Sequence, residues 1–156
     1  YTGAASLVAR SKGAEVIHVD SVKQLISWAK KNMTDSGLDG IKWVHEDALK
    51  FAQREAKRGN KYYGIVMDPP AWGIGAKGEK WKIEDKLPDL IETAYSLLEK
   101  NGFLILNTYS PRVSTENIKK IATKYFAEDK LEIGELWTET KTGKQLFHGH
   151  LLRARK

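Results

Sequence analysis

The sequence predicts an α/β fold, a doubly wound, mostly parallel sheet that ends in a C-terminal antiparallel hairpin. Three observations carry this. Short apolar or β-branched segments alternate with stretches of helical periodicity along most of the chain. Phe103-Leu104-Ile105-Leu106 is apolar at every position, the pattern of a strand covered on both faces. And three successive strands run into an aspartate, at Asp20, Asp47 and Asp68.

The elements follow in order. Small and apolar residues predict a helix over 4–12, closed by Gly13. Glu15 to Val19 is a β-branched strand, closed by Asp20. Val22, Leu25, Ile26, Ala29 and Met33 recur at helical spacing, with Asp20 or Ser21 as cap and Gly37 just past the end. Ile41 to His45 is a second strand, and a helix over 48–58 stops at Gly59-Asn60. Tyr63 to Met67 is a third strand, leading into Asp68-Pro69-Pro70. Residues 71–86, with Gly73, Gly75 and Gly78, read as a loop able to close over a substrate. Leu87, Leu90, Ile91, Ala94, Leu97 and Leu98 mark an amphipathic helix, with Pro88 in its first turn and Asn101-Gly102 as its C-cap. After the apolar strand, Ser114 caps a helix carrying Ile118, Ile121, Ala122, Tyr125 and Phe126. Strands over 131–139 and 145–153 are joined by a turn at Thr142-Gly143. A sheet wound this way is expected to carry a further strand ahead of Tyr1, at its centre where strand order reverses.

At 156 residues, 41% hydrophobic and 29% charged, the chain has the composition of one domain with its own core, which excludes a disordered or collagen-like chain. No run approaches the roughly 18 apolar residues of a membrane-spanning helix. There is no cysteine, which excludes disulfides, thiolate metal sites and a cysteine nucleophile within these residues and is consistent with a cytoplasmic setting. The net charge of +6 favours a polyanionic partner, nucleic acid above all. Basic residues concentrate over 141–156 and over 50–61; each group suits either a solvated face or a phosphate backbone. His148 and His150 share one face of a regular strand, but no third metal ligand is evident.

Open α/β sheets bind ligands beyond the carboxyl ends of their strands. Gly3 suits close approach of the backbone to a ligand at a helix N-terminus. Asp20 stands where a carboxylate can accept both hydroxyls of a ribose. Asp47 can accept from an adenine amine. Both also suit as helix caps. The turn before the first helix holds a single glycine, Gly3-Ala4-Ala5-Ser6, and so no Gly-x-Gly-x-x-Gly there, which disfavours dinucleotides; no phosphate-binding Gly-x-x-x-x-Gly-Lys motif is present, which excludes a phosphate-loop NTPase. Asp68-Pro69-Pro70-Ala71-Trp72 is the most specific local feature. Two prolines fix the chain as it leaves the sheet, so that Asp68 or the Pro69 carbonyl can accept from an amine on a planar group while Trp72 stacks on it. The alternative is a rigid turn with Trp72 in the core.

These residues resemble class I S-adenosylmethionine-dependent methyltransferases, and most closely the bacterial group that modifies 23S ribosomal RNA, which includes 5-methylcytosine and N7-methylguanine enzymes. The resemblance runs through Tyr1-Thr2-Gly3, Val19-Asp20, Glu46-Asp47-Ala48, Asp68-Pro69-Pro70 and Trp81-Lys82-Ile83-Glu84 leading to Leu87-Pro88. It implies a Rossmann-like seven-stranded sheet with an antiparallel last pair. It implies S-adenosyl-L-methionine as cofactor, held by Tyr1, Thr2, Gly3, Asp20, Ser21, Glu46, Asp47, Ala48 and Asp68. It implies a target pocket shaped by Asp68, Pro69, Pro70 and Trp72, and RNA, ribosomal RNA above all, as partner. The 5-methylcytosine members use a cysteine near the end of the fifth strand, where this chain reads Asn107-Thr108-Tyr109-Ser110. A nitrogen acceptor, which needs no covalent step, is therefore favoured. Competing readings are a small-molecule or protein N-methyltransferase, and a nucleic-acid-binding module with a degenerate cofactor site.

Overall fold

Elements are numbered from a computed structural model that describes residues 2–74 and 80–156. Tyr1 and residues 75–79, with Gly75 and Gly78 of the predicted loop, lie outside the described residues. The chain forms two units, residues 1–54 and 55–156. No described helix is long and apolar enough to cross a membrane.

The first unit holds α1 (Ala4–Ser11), β1 (Val16–Asp20), α2 (Lys23–Asp35), β2 (Ile41–His45) and most of α3 (Ala48–Lys57). β1 and β2 pair in parallel, Val16 opposite Ile41 through Asp20 opposite His45. The crossover between them is α2, which buries Ile26 and Ala29. Each of the first three helices ends as predicted, with a glycine in the left-handed region: Gly13, Gly37 and Gly59 at φ 86, 64 and 75. In α2, Gly37 N–H reaches the Thr34 carbonyl and Leu38 N–H the Met33 carbonyl, both at 3.0 Å. That pairing satisfies carbonyls the helix leaves open. The predicted start of α2 shifts, because Val22 is the residue at the N-cap, and Asp20 acts two residues ahead of it by accepting the Val22 N–H. His18 of β1 bonds the Ser6 hydroxyl and lies 5.0 Å from the Trp43 ring; burial lowers its pKa.

The second unit is built on β6 (Leu98–Thr108). β3 (Tyr62–Met67) joins it in parallel, β8 (Gln145–Arg155) antiparallel on the other edge, and β7 (Leu131–Glu139) pairs antiparallel outside β8. This is the predicted α/β sheet with its terminal hairpin. Among the described residues β1 pairs with β2 and β3 with β6. One face of β6 and β8 presents Leu104, Leu106, Leu152 and Ala154, each at most 1% exposed. It is covered by α4 (Ile83–Leu97), which buries Leu87, Ile91 and Ala94, and by α5 (Thr115–Ala122), which buries Ile118 and Ala122. Each fully buried Leu or Ile contributes about 1.5–3 kcal/mol. Ser114 caps α5 as predicted: it accepts the Asn117 N–H while Asn117 Oδ1 accepts the Ser114 N–H. The helix closes at Ala122, and Phe126 is buried in the turn beyond it.

Three local predictions change. The predicted loop contains a small hairpin, β4 (Trp72–Ile74) with β5 (Lys80–Lys82), Gly73 opposite Trp81. The helix α4 starts at Ile83, so Pro88 lies inside it rather than in its first turn. The earlier start brings the buried Ile83 and Leu87 onto one face, four residues apart, with Glu84 and Asp85 at the positive helix end. And Asn101-Gly102 is no helix cap, because α4 ends at Leu97 and runs directly into β6. Asn101 takes its left-handed φ of 66° where the β3–β6 register slips between Leu98 and Phe103.

The last turn of α3 carries a buried carboxylate. Glu55, 6% exposed, accepts from Arg58 Nη1 (2.9 Å), Asn60 Nδ2 (2.6 Å) and Tyr62 Oη (2.8 Å). The hydrogen bonds from Tyr62 and Asn60 hold its pKa down to about 2, and burial with the Glu55 contact pushes Tyr62 up to about 12. A carboxyl depressed in the folded state stabilises the fold above its unfolded pKa, and that contribution fades as pH falls from about 4.5 to about 2. Glu55→Gln is expected to lower the thermal midpoint at neutral pH, and the difference from the parent protein should shrink steadily across that acid window. A constant difference down to the low end would mean the carboxylate contributes nothing through its charge.

Candidate functional site

The predicted cofactor residues of the first unit sit at the carboxyl ends of β1 and β2 and at the entry to α1. Gly3 stands at the α1 N-cap with φ 82, and a Cβ there would lie 2.8 Å from Ala29 Cβ. Only glycine lets the turn seat against α2 while leaving the helix N–H groups facing outward. The Thr2 carbonyl accepts from Asn32 Nδ2 at 3.0 Å, which ties the same turn to α2. Asp20, last residue of β1, accepts the Val22 N–H on Oδ1 at 2.7 Å, so its carboxylate is oriented by the backbone. The Ser21 carbonyl accepts from His45 Nε2 at 3.0 Å, joining the two strand ends. Glu46 faces Arg54 Nη1 with both oxygens. Asp47 accepts the Lys50 N–H at 2.9 Å, the helix-capping geometry, and Ala48 opens α3. The capping alternative is thus realised for Asp47, whereas Asp20 holds the backbone just ahead of the α2 N-cap; each contact fixes a carboxylate at a strand end.

The predicted acceptor residues belong to the second unit. Asp68 follows the last residue of β3 and is exposed. Asn107, near the end of the neighbouring β6, donates from Nδ2 to Asp68 Oδ1 and to the His148 carbonyl, both at 3.4 Å. Pro69-Pro70 then leaves the ladder, and Trp81 Nε1 donates to the Pro70 carbonyl at 2.9 Å. Trp81 is therefore the anchor that holds the turn. Trp72 is 58% exposed, which excludes the reading in which it is a core residue. It opens a cleft of about 330 Å³, lined also by Lys82, Glu84, Ser110 and Arg112. That volume lies within the roughly 300–1,000 Å³ of small-ligand sites. Arg112 Nη1 pairs with Glu84 at 3.2 Å, and the Glu84 pKa is lowered by its own backbone N–H at the start of α4 and by Arg112.

Two features of this edge were not assigned from sequence. Asn107 was visible at the end of the apolar strand, but its bridging role needs the fold. Asn107 Oδ1, Thr108 Oγ1 and His150 Nδ1 are buried without a hydrogen-bond partner, a cluster of unmet polar atoms at the end of β6. The regular strand expected at His148 and His150 is interrupted, because His148 is the extra residue of a bulge between Phe147 and Gly149. His148 bonds the Thr138 hydroxyl, and His150 Nδ1 lies 3.8 Å from Glu135. Among the described residues no group of His, Cys, Asp or Glu is arranged to hold a metal.

No protein-family model matches the chain. Over 99% of its length it superposes on the SAM-dependent methyltransferase from Agrobacterium tumefaciens, with a TM-score of 0.90 and 37% identity, covering 53% of that chain. SMU.776, solved in complex with SAH, has the same fold at a TM-score of 0.82 and 20% identity, matching 100% of this chain and 43% of its own. The fold is that of the class I S-adenosylmethionine-dependent methyltransferases. Within that class the chain resembles the ribosomal RNA large subunit methyltransferases. It is 32% identical over 111 residues to methyltransferase K/L of Shewanella frigidimarina and 33% identical over 131 residues to methyltransferase I of Tolumonas auensis. These matches take in 69% and 78% of this chain but only 15% and 31% of the two relatives.

If the close seat of Gly3 against Ala29 sets the α1 entry, Gly3→Ala strains both the left-handed φ and the packing. It is expected to cost about 1–3 kcal/mol of stability in urea titration. An unchanged midpoint would show that the turn is not constrained.

Proposed function

We propose that residues 1–156 form the S-adenosylmethionine-binding catalytic part of a methyltransferase that modifies a base of RNA, ribosomal RNA in particular. The observation that carries the reading is the edge formed by Asp68, Asn107 and the exposed Trp72, on a turn held rigid by two prolines and the Trp81–Pro70 hydrogen bond. Relatives named as ribosomal RNA methyltransferases, and a related structure solved with SAH, support it.

The cofactor fits the residues present. The turn at Gly3 has no room for a side chain and leaves backbone N–H groups available for a carboxylate at the α1 N-terminus. Asp20 accepts the ribose hydroxyls and Asp47 the adenine amine, with Thr2, Ser21, Glu46 and Ala48 shaping the strand ends around them. When bound, S-adenosylmethionine supplies an electrophilic methyl group on a sulfonium. Trp72 stacks on the acceptor base. Asp68 and the Pro69 carbonyl accept hydrogen bonds from its amine and so aim the nitrogen lone pair, and Asn107 holds Asp68 in place. The proton released as the N–C bond forms has Asp68 as a nearby acceptor. A nitrogen acceptor is favoured because Asp68 and the Pro69 carbonyl are hydrogen-bond acceptors, with no cysteine among these residues. Most of the catalysis is then orientation.

Asp20→Asn keeps an oxygen for the Val22 N–H but loses the charge. It is expected to weaken S-adenosylhomocysteine binding by about tenfold or more in calorimetry, since hydrogen bonds to charged groups carry about 1.5–3 kcal/mol. Trp72→Ala should leave that binding within a factor of about two while methyl transfer to RNA falls by about tenfold to a hundredfold, the loss of one stacked base. Tritium transfer from labelled cofactor to total RNA, measured on the full-length protein, tests the whole reading. Label that enters only small molecules would replace RNA with a small-molecule acceptor.

A further inference from the structure

We propose that the outer part of the β7–β8 hairpin is a stacking arm for single-stranded RNA, holding nucleotides that flank the one placed at Asp68 and Trp72; this rests on the RNA reading above. Pairing of β8 with β6 ends at Thr108 opposite His150, while β7 and β8 continue to pair with each other out to Glu139 opposite Gln145. The hairpin therefore projects past the carboxyl end of β6. Its base touches the acceptor edge, since one amide nitrogen of Asn107 reaches both Asp68 and the His148 carbonyl.

Where the hairpin leaves the sheet, its register shifts. Leu136 faces Gly149, but Trp137 faces Phe147, so His148 is the extra residue of a bulge. Gly149 takes φ 114, and a Cβ there would lie 2.5 Å from the Thr108 carbonyl oxygen, so no other residue fits this bend. The bulge turns Trp137 and Phe147 to one face as a cross-strand pair, ring centroids 4.9 Å apart. Packing does not explain their exposure: Trp137 is 49% and Phe147 40% accessible. Trp137 Nε1 donates to Glu135 at 3.0 Å, which fixes the indole plane and leaves its face open. The turn beyond carries Lys141 and Lys144, while β7 carries Glu135, held by Trp137, and Glu139 at the strand end.

The paired exposed aromatics offer a face on which bases of any sequence can stack, and Lys141 and Lys144 put positive charge at the turn beyond them.

Binding of a short fluorescein-labelled oligoadenylate to the full-length protein, by anisotropy, tests this. Trp137→Leu with Phe147→Leu is expected to weaken binding about tenfold or more. Trp137→Phe should retain most of it, and S-adenosylhomocysteine affinity should be unchanged in every variant. In the parent protein, photocrosslinking to a strand carrying 5-iodouridine should mark peptides from β7 or β8. Equal affinity of parent and double variant, or crosslinks confined to other peptides, would overturn the arm while leaving the RNA reading intact. No RNA binding by the parent would overturn both. A dimer in light scattering that the double variant loses would assign the face to self-association and overturn the arm.

Discussion

The second unit depends on β6 being hydrogen-bonded along both edges, in parallel to β3 and antiparallel to β8. A strand held on both sides cannot slip without turning its buried face outward. Leu104, Leu106 and Thr108 are fully buried on that face, so the register is fixed by core packing as well as by the ladders. Asn107 is the residue between Leu106 and Thr108. Its side chain is therefore delivered to the opposite face by alternation alone. From there its amide reaches the end of β3 on one side and the His148 carbonyl of β8 on the other. The chemistry of the carboxyl edge is thus set by pairing deep in the sheet.

The mixed pairing also explains why the edge is well stocked with distinct groups. A parallel neighbour ends at the same edge and supplies the turn Asp68-Pro69-Pro70. An antiparallel neighbour instead arrives there from outside the sheet, so β8 brings a hairpin rather than a single loop. Rigidity is added from a third direction, by Trp81 of β5 bonding the Pro70 carbonyl. The proline pair alone fixes φ at two residues; the indole fixes where the turn sits.

Much of this was legible in the sequence. Strand and helix order followed from periodicity, and the glycine endings of α1, α2 and α3 followed from the left-handed turn each requires. The misread positions are those where one residue type serves two geometries. Asn101 has the φ of a helix cap, but adopts it at a strand irregularity. Pro88 suits a first turn, but burial of Ile83 extended the helix ahead of it. Gly73 suggested a loop, yet it pairs with Trp81 in a short ladder. In each case tertiary contacts decided between local options that the sequence left equal. Asp20, Asp47 and Asp68 stood out as candidates because each follows or closes a strand. Asn107 had no role until the fold placed it beside Asp68.

The charge illustrates the same division between what composition and structure can tell. A net +6 draws a polyanion from a distance, over a Debye length of about 10 Å, but does not say where it lands. Several basic side chains are already engaged: Arg54 with Glu46, Arg58 with Glu55, Arg153 with Glu132, and Lys156 with the Tyr95 and Leu98 carbonyls. Arg54 and Arg58 of the basic stretch over 50–61, and Arg153 and Lys156 of the one over 141–156, are thus engaged within the fold. Location must come from groups that geometry leaves open, and in the second unit these are aromatic as much as basic: Trp72 at the cleft, Trp137 and Phe147 on the hairpin. On the RNA reading proposed above, electrostatics would govern how often a strand arrives, while stacking against these rings would govern how it is held once there.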